Sequence, residues 1–375
     1  MYPVHDNYVL KIRVKKIGSA PNFRDRSHET EFMIYLICMK NHQITIFDLA
    51  RELNISKSTV SRVLTGHPNV HPDTRKRVLD LAEKLDYQRN MIAIQLATQQ
   101  SKTIGIIIPE ILSSYFPYVI AAIQEEAHKE GYNVLISQSN ESYETEVTNA
   151  KVMLDNRVDG VIVSITKETL NFDHLKVFQK KGIPIVFFNR VCNEMVVPKV
   201  IVDDYEGAFG AVEHLILSGR KRIAHLSGPS SLAISVKRLN GYLAALKKHN
   251  IPADPELIIS YDFSKEKIAI YVNHLINLDN PPDAIFAIND PTAIDTIQII
   301  KKNGLRVPED IAVVGFSDDY VSALIEPPLT TVAQPVREIG ITAAQLLFDQ
   351  IKKDSSQWKT PVKVLKTKLI VRKSS

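Results

Sequence analysis

Apolar positions recur along this chain with two different periods, and the change of period divides it. From Ile44 to Tyr87 the spacing is helical. Ile46, Leu49, Ala50 and Leu53 fall at i, i+3, i+4 and i+7, one face of a 3.6-residue turn. Thr45-Ile46-Phe47-Asp48 has the Ser/Thr-x-x-Asp/Glu form of a capping box, which satisfies the first free N–H groups of a helix. Asn54-Ile55-Ser56 reads as a tight turn, with Ser56 a good N-cap for a second helix from Lys57 to Leu64. On that helix Val60, Val63 and Leu64 share one arc, and Lys57, Ser58, Ser61 and Arg62 share the opposite one. Gly66 and Pro68 end it, and a third helix follows His71-Pro72, with Val78, Leu81, Ala82 and Leu85 again on one face.

From residue 102 the pattern becomes short apolar runs separated by helical stretches. Strands are predicted at Thr103–Pro109, Val134–Ser137, Gly160–Val163 and Ile185–Phe188. After Asp203 the rhythm restarts: helix 205–217, strand Ile223–Leu226, helix 238–249, strand Ile258–Ile259, helix 265–277, strand Ala284–Ala287, helix 291–302, strand Ile311–Val314. Apolar strands alternating with helices predict parallel sheets covered on both faces, and two successive sets predict two similar lobes. Ligands of such folds sit beyond the carboxyl ends of the strands, here in the cleft between the lobes. The expected organisation is therefore a 1–40 N-terminal extension, a 41–89 all-α helix-turn-helix head, a 90–101 linker and a 102–375 two-lobed α/β domain.

Two segments carry weaker signals. Residues 1–40 show no period; Lys11, Arg13, Lys15, Lys16, Arg24 and Arg26 precede the only apolar run, and no small-residue cleavage site follows. We expect Met39 to be the natural start, with 1–38 upstream sequence or a floppy arm; an ordered arm peculiar to this protein is the alternative. In the linker, Ile92, Ala93, Leu96 and Ala97 can share a helical face, but so short a helix does not hold alone in water, and it is expected to order only against a partner.

Composition narrows the function. A chain of 375 residues suggests two or three domains, and 45% hydrophobic with 23% charged residues is an ordinary globular mix. Two cysteines, Cys38 and Cys192, cannot form a disulfide framework, which points to a reducing, cytoplasmic setting. A net charge of +4 permits an anionic partner. No apolar run reaches the roughly 18 residues of a membrane span. The phosphate loop, nucleophile elbow, His-Glu-x-x-His and Cys-x-x-Cys patterns are absent, and the eleven histidines lack metal-ligand spacing. No catalytic residue, cofactor, metal or membrane contact is expected.

Two helices joined by a three-residue turn form the helix-turn-helix pattern. The apolar arc of the second helix holds it to its neighbours, while its short, polar, cationic arc suits entry into a major groove. The spelling goes further. Ile44-Thr45-Ile46-Phe47-Asp48-Leu49-Ala50, Ile55-Ser56-Lys57-Ser58-Thr59-Val60-Ser61-Arg62-Val63-Leu64, Val70 and Thr74-Arg75-Lys76-Arg77-Val78 together resemble the lac repressor family of bacterial transcription regulators. The resemblance implies that Lys57, Ser58 and Arg62 read bases and that Thr59, Ser61 and Asn69 contact phosphates. It also implies that the linker forms a hinge helix in the minor groove, around Asn90, with Ala93 packing beside a wedging Leu96. Without the preceding motif, an ordinary linker is the simpler reading of that stretch. Thr65 stands where the family often has Asn, and Tyr87-Gln88-Arg89-Asn90 departs from its Tyr-x-Pro-Asn.

The second half is similar to the sugar-binding-protein-like effector domain of the same family. The resemblance rests on Val202-Asp203-Asp204-Tyr205-Glu206-Gly207-Ala208, Arg238-Leu239-Asn240-Gly241-Tyr242, Asn289-Asp290 and Leu329-Thr330-Thr331-Val332-Ala333-Gln334-Pro335, and it covers roughly 44–350. It implies that Arg238 holds the effector, with Asn189, Arg190, Asn289, Asp290 and Gln334 at comparable cleft positions. Tyr115, Phe116 and Phe263 offer aromatic faces, a mixture that suits a polyhydroxylated ligand. Gly315-Phe316 is followed by Ser317 and then Asp318, where the family often has Asp at once; either Asp318 takes over or a different hydroxyl pattern is read. For Arg190 the structural alternative is a strand cap, for Asp290 a helix start, and for the aromatics the core. The expectation is a homodimeric, ligand-responsive regulator, acting as a repressor on a near-palindromic double-stranded operator, with a carbohydrate effector. No leucine-heptad tail follows Trp358, which favours a dimer. Rivals are a sugar-binding protein without a regulatory role, which leaves residues 44–98 unexplained, and a catalytic α/β domain carrying a DNA-binding head.

Overall fold

Capping decides where the first helices begin. In the computed structural model, which describes residues 44–88 and 100–375, the Asp48 carboxylate accepts from the Thr45 N–H at 3.0 Å and from its hydroxyl at 2.7 Å, and α1 (Ile46–Glu52) starts there. The Ser56 hydroxyl accepts from the Thr59 N–H at 3.1 Å and starts α2 (Lys57–Leu64). Gly66, at φ +74°, closes α2, a conformation that costs glycine little. Pro72 then sits in the first turn of α3 (Pro72–Lys84). Leu49, Ala50, Val60, Val63 and Val78 form the buried centre of this unit, with Leu53, Leu81 and Leu85 packed partly buried around it. The expectations placed on residues 1–43 and 89–99, including Arg89, Asn90, Ala93 and Leu96, lie outside the described residues.

The described residues fall into two units, 44–88 and 100–375. The second carries two six-stranded sheets. One is built from β1 (Thr103–Ile108), β2 (Asn133–Gln138), β3 (Gly160–Val163), β4 (Ile185–Phe188), β5 (Lys199–Val202) and β11 (Val362–Leu365), in the order β11-β5-β4-β3-β1-β2, all parallel. The other contains β6 (Ile223–Ser227), β7 (Ile258–Ser260), β8 (Ala284–Ala287), β9 (Ala312–Ser317), β10 (Thr330–Ala333) and β12 (Lys368–Ile370), in the order β12-β10-β9-β8-β6-β7. Helices α4 (Tyr115–Lys129), α5 (Tyr143–Asp155) and α6 (Asp173–Lys180) belong to the first lobe, and α7 (Asp204–Leu217), α8 (Ala233–Lys248), α9 (Lys265–Ile276) and α10 (Asp290–Lys302) to the second. Strands such as β3, β4 and β8 are buried at every position, as parallel strands covered on both faces must be.

Two features correct the simple picture of successive lobes. After β10 the chain returns to the first lobe, where α11 (Val336–Ile351) packs on α4 and against β3, β4 and β5. It adds β11 to that sheet and then crosses back through residues 366–367 to β12. Three crossings therefore join the lobes: after β5, after β10 and after β11. The last one reverses direction, so β12 pairs antiparallel with β10 and the second sheet is mixed. The close packing of α11 on α4 has a local cause. A Cβ on Gly340 would collide with the Val119 carbonyl, so only glycine lets these helices approach so closely. Helix α8 also begins at Ala233, ahead of the expected 238, because its N-cap is Leu232, which carries no polar capping signal.

Candidate functional sites: an exposed helix face and an interlobe cleft

In the head, α2 is anchored by Val60 and Val63, and the opposite side is open. Lys57, Ser58, Ser61 and Arg62 are exposed there, and Thr59 is half-buried. The Ser58 and Thr59 hydroxyls lie 2.7 and 2.8 Å from the Ser56 hydroxyl, a small network that fixes the start of the helix. Each hydroxyl can make more than one hydrogen bond, so this leaves capacity for a further partner. The Lys57 ammonium lies 5.1 Å from the centre of the exposed Phe47 ring. Thr65 donates to the Ser61 carbonyl at 2.9 Å and so closes the last turn, a role that needs no Asn. Asn69 is exposed in the following loop, its N–H 3.3 Å from His67 Nδ1. Together these side chains form a polar, cationic surface with no acidic residue in the first turn of α2.

Between the lobes lies a cavity of about 500 Å³, a size usual for small-molecule sites. It is lined by the carboxyl ends of the strands. Tyr115, Phe116, Asn189, Arg190, Arg238, Phe263, Asn289, Ser317 and Gln334 are all brought to it. Asn189, Phe263 and Ser317 have φ of +58°, +64° and +138°, a conformation that L side chains rarely adopt. Such strain gathers at sites where the surrounding structure holds a ligand frame.

Two expected residues are elsewhere. Asp290 is fully buried, and its carboxylate accepts from the Asp319 N–H and the Ser322 hydroxyl, both at 2.7 Å, and from the Thr331 hydroxyl. Burial raises its pKa to about 6. Its acceptors serve the loop after β9, which is a structural task. Asp318, at φ +57°, points its carboxylate to Arg372 at 2.7 Å, and it lines a neighbouring hollow. Ser317 occupies the cleft in its place, accepting from Gln334 Nε2 at 3.1 Å.

The two arginines of the cleft are each paired. Arg238, 2% exposed, donates from Nε and Nη2 to Asp204 Oδ1 at 2.9 and 2.8 Å and from Nη1 to the Ile288 carbonyl. Its guanidinium carbon lies 3.6 Å from the Phe316 ring centre. Burial raises the pKa of Asp204, and Arg238 works against that rise. Arg190 Nη1 lies 2.8 Å from both Glu141 oxygens, and its guanidinium carbon is 5.6 Å from the Phe263 ring centre. Burial also pushes the Tyr115 hydroxyl well above the usual phenol range.

Three buried polar atoms on the lining lack a protein partner: Tyr115 OH, Arg190 Nε and Gln334 Oε1. Buried polar groups are costly unless hydrogen-bonded, so these are the atoms a ligand would satisfy. The lobes are latched on either side of the cleft. Ser114 N–H donates to Asp319 at 2.8 Å and Tyr320 N–H to Ser114 Oγ at 3.1 Å. Lys167 Nζ donates to the Asp262 carbonyl at 2.6 Å, and Ser231 Oγ to the Lys167 carbonyl at 3.0 Å.

Sequence reasoning missed Glu141, Lys167 and Tyr261 on this lining. Each lies within a few residues of a strand's carboxyl end, after β2, β3 and β7. The strand-end rule applied to every strand would have found them.

Against known proteins, residues 45–90 match the model described as "Bacterial regulatory proteins, lacI family". Residues 101–368 match "Periplasmic binding proteins and sugar binding domain of LacI family". The chain is 34% identical to catabolite control protein A of Priestia megaterium over 316 residues, covering 83% of this chain and 94% of that protein. It is 33% identical to the HTH-type transcriptional repressor CytR of Escherichia coli (strain K12) over 308 residues, 82% of this chain and 90% of that one. Among solved structures, a lac repressor dimer bound to operator and the anti-inducer ONPF matches with TM-score 0.77 and 29% identity, over 88% of this chain and 98% of that one. A complex of the transcriptional regulator CelR with cellobiose matches with TM-score 0.67 and 27% identity, over 88% of this chain and all of the other.

Proposed function

This chain belongs to the lacI family of bacterial regulatory proteins, and from that premise we propose how its own residues carry out regulation. The chain is a ligand-responsive, DNA-binding transcriptional regulator of that family. In our reading it is a cytoplasmic homodimer that represses transcription from a near-palindromic operator and performs no turnover. The two copies of α2 enter major grooves about one helical turn apart. Lys57, Ser58 and Arg62 read base edges, while Thr59, Ser61 and Asn69 engage phosphates. Asn90, Ala93 and Leu96 form the minor-groove hinge, with Leu96 as the wedge.

The observation that carries this reading is the exposed arc of α2, held open opposite the buried Val60 and Val63. A sugar in the cleft is supported by its size, its aromatic faces and its unpaired polar atoms. Tyr115, Phe116, Asn189, Arg190, Arg238, Phe263, Asn289, Ser317 and Gln334 are the residues we assign to it. The latches between the lobes give the ligand something to bias, because a ligand that favours the latched arrangement shifts the population toward it. Coupling of about 1–3 kcal/mol to DNA binding would change affinity some 5- to 150-fold.

Anisotropy titration of the full chain against a selected duplex tests the reading. Specific binding should weaken steeply with salt and shift on addition of a sugar that raises the melting temperature. Binding that is indifferent to duplex sequence, or to salt, contradicts it.

A further inference from the structure

The charge arrangement of the cleft goes further than its shape. Glu110, Glu141 and Asp319 all line it. The cations there are Lys167 and the two arginines, and Asp204 lies directly behind Arg238. Each of the two arginines is therefore already matched by a carboxylate. Glu141 is the central element. Its two oxygens both receive Arg190 Nη1 at 2.8 Å, and Oε2 also accepts from the Lys167 N–H at 3.0 Å. Any anionic group brought to Arg190 meets a carboxylate already there.

The unpaired atoms agree. Arg190 Nε can only donate, and Gln334 Oε1 can only accept; Tyr115 OH can do both. A carboxylate or phosphate placed against Gln334 supplies acceptors alone and leaves its Oε1 unsatisfied. A hydroxyl supplies both. The aromatic faces of Phe116 and Phe263 on the same lining offer apolar contact for a sugar ring.

We propose that the cleft selects an uncharged polyhydroxylated sugar and rejects its acidic derivatives, with Glu141 as the residue that sets the choice. This rests on the reading of the cleft as the effector site of a regulator. Arg190 is then a neutralised hydrogen-bond donor and a ring-facing plane, where an unpaired arginine would capture an acid.

Matched probes that differ in charge decide the matter. Isothermal titration and thermal shift on the full chain would compare glucose with glucuronate and glucose 6-phosphate, galactose with galacturonate, and ribose with ribose 5-phosphate, with cellobiose added as a longer neutral probe. At least one neutral sugar should bind, and its acidic counterparts should bind at least about tenfold more weakly. In Glu141→Gln that gap should narrow, with glucuronate gaining on glucose. An acid that binds as tightly as its neutral parent overturns the proposal, as does a panel in which no neutral sugar binds. The wild-type comparison stands even if the variant fails to fold. An unchanged gap in a folded Glu141→Gln removes Glu141 from the role. Duplex binding measured on the same wild-type sample separates the two ideas: acid preference with specific DNA binding intact sinks only the selectivity claim, whereas absent DNA binding sinks the regulator.

Discussion

Replacing Arg238 by methionine isolates what its pairing does. The substitution keeps an unbranched, flexible chain over the Phe316 ring but removes the guanidinium, which leaves Asp204, itself 2% exposed, without its hydrogen-bonded cation. Removing one partner of a buried ion pair costs about 3–5 kcal/mol. At roughly 2 °C per kcal/mol for a unit of this size, the cleft unit should melt about 6–10 °C lower at pH 7. Burial already raises the Asp204 pKa even with Arg238 present. Without Arg238 it rises further, so the loss should shrink as the pH falls and Asp204 takes up a proton. Adding Asp204→Asn to Arg238→Met removes the stranded charge and should recover most of the deficit. Differential scanning calorimetry of the single and double variants at pH 7 and pH 5 measures all of this. A single variant that melts within about 2 °C of the wild type, or a double variant that melts below the single one, refutes the reasoning.

Other outcomes follow from the same contacts. Arg62→Ala should cost about 1–3 kcal/mol of specific DNA affinity and relax preference at one position of each half-site, read by titration against single-base variants. Leu49→Ala opens a cavity in a head whose buried centre is only five side chains, so specific DNA binding should fail at 37 °C while the melting of the cleft unit stays unchanged. Two buried groups oppose each other in acid. The pKa of His225 is lowered to about 4 by burial, so the folded state holds it neutral while the unfolded chain takes a proton, and stability falls as the pH drops from about 6.5 to 4. Asp290, raised to about 6, does the reverse over nearly the same window, because the folded state binds the proton first. Each effect is worth roughly 3 kcal/mol, so Asp290→Asn should lose stability with acid more steeply than the wild type; a variant that is equally or less acid-sensitive contradicts the assignment.

Local signals made the head legible. Caps at Thr45 and Ser56, and apolar residues three and four apart, specify α1 to α3 without help from distant residues. In the cleft, strand ends could be located because the strands are short and apolar, and most of the expected residues arrive there for that reason. The side-chain directions of Asp290 and Asp318 could not be read, because they depend on Thr331, Ser322 and Arg372, which come from elsewhere in the chain. The positive φ of Ser317 and Asp318 carries no glycine or asparagine to announce it. The return of α11 to the first lobe was hidden for a related reason. It is fixed by packing on α4 more than two hundred residues earlier, shown by the Arg337–Glu125 pair at 2.7 Å, and periodicity within a window cannot see that.

The central claim is that the exposed arc of α2 reads base edges. Selection of duplexes from a random library, run in parallel on the wild type and on Arg62→Ala and Lys57→Ala, tests it most directly. The wild type should enrich a near-palindrome with half-sites about 10 base pairs apart, and each variant should lose preference at defined, symmetric positions. Enrichment of the same sequence with the same preference at every position by all three proteins would contradict it.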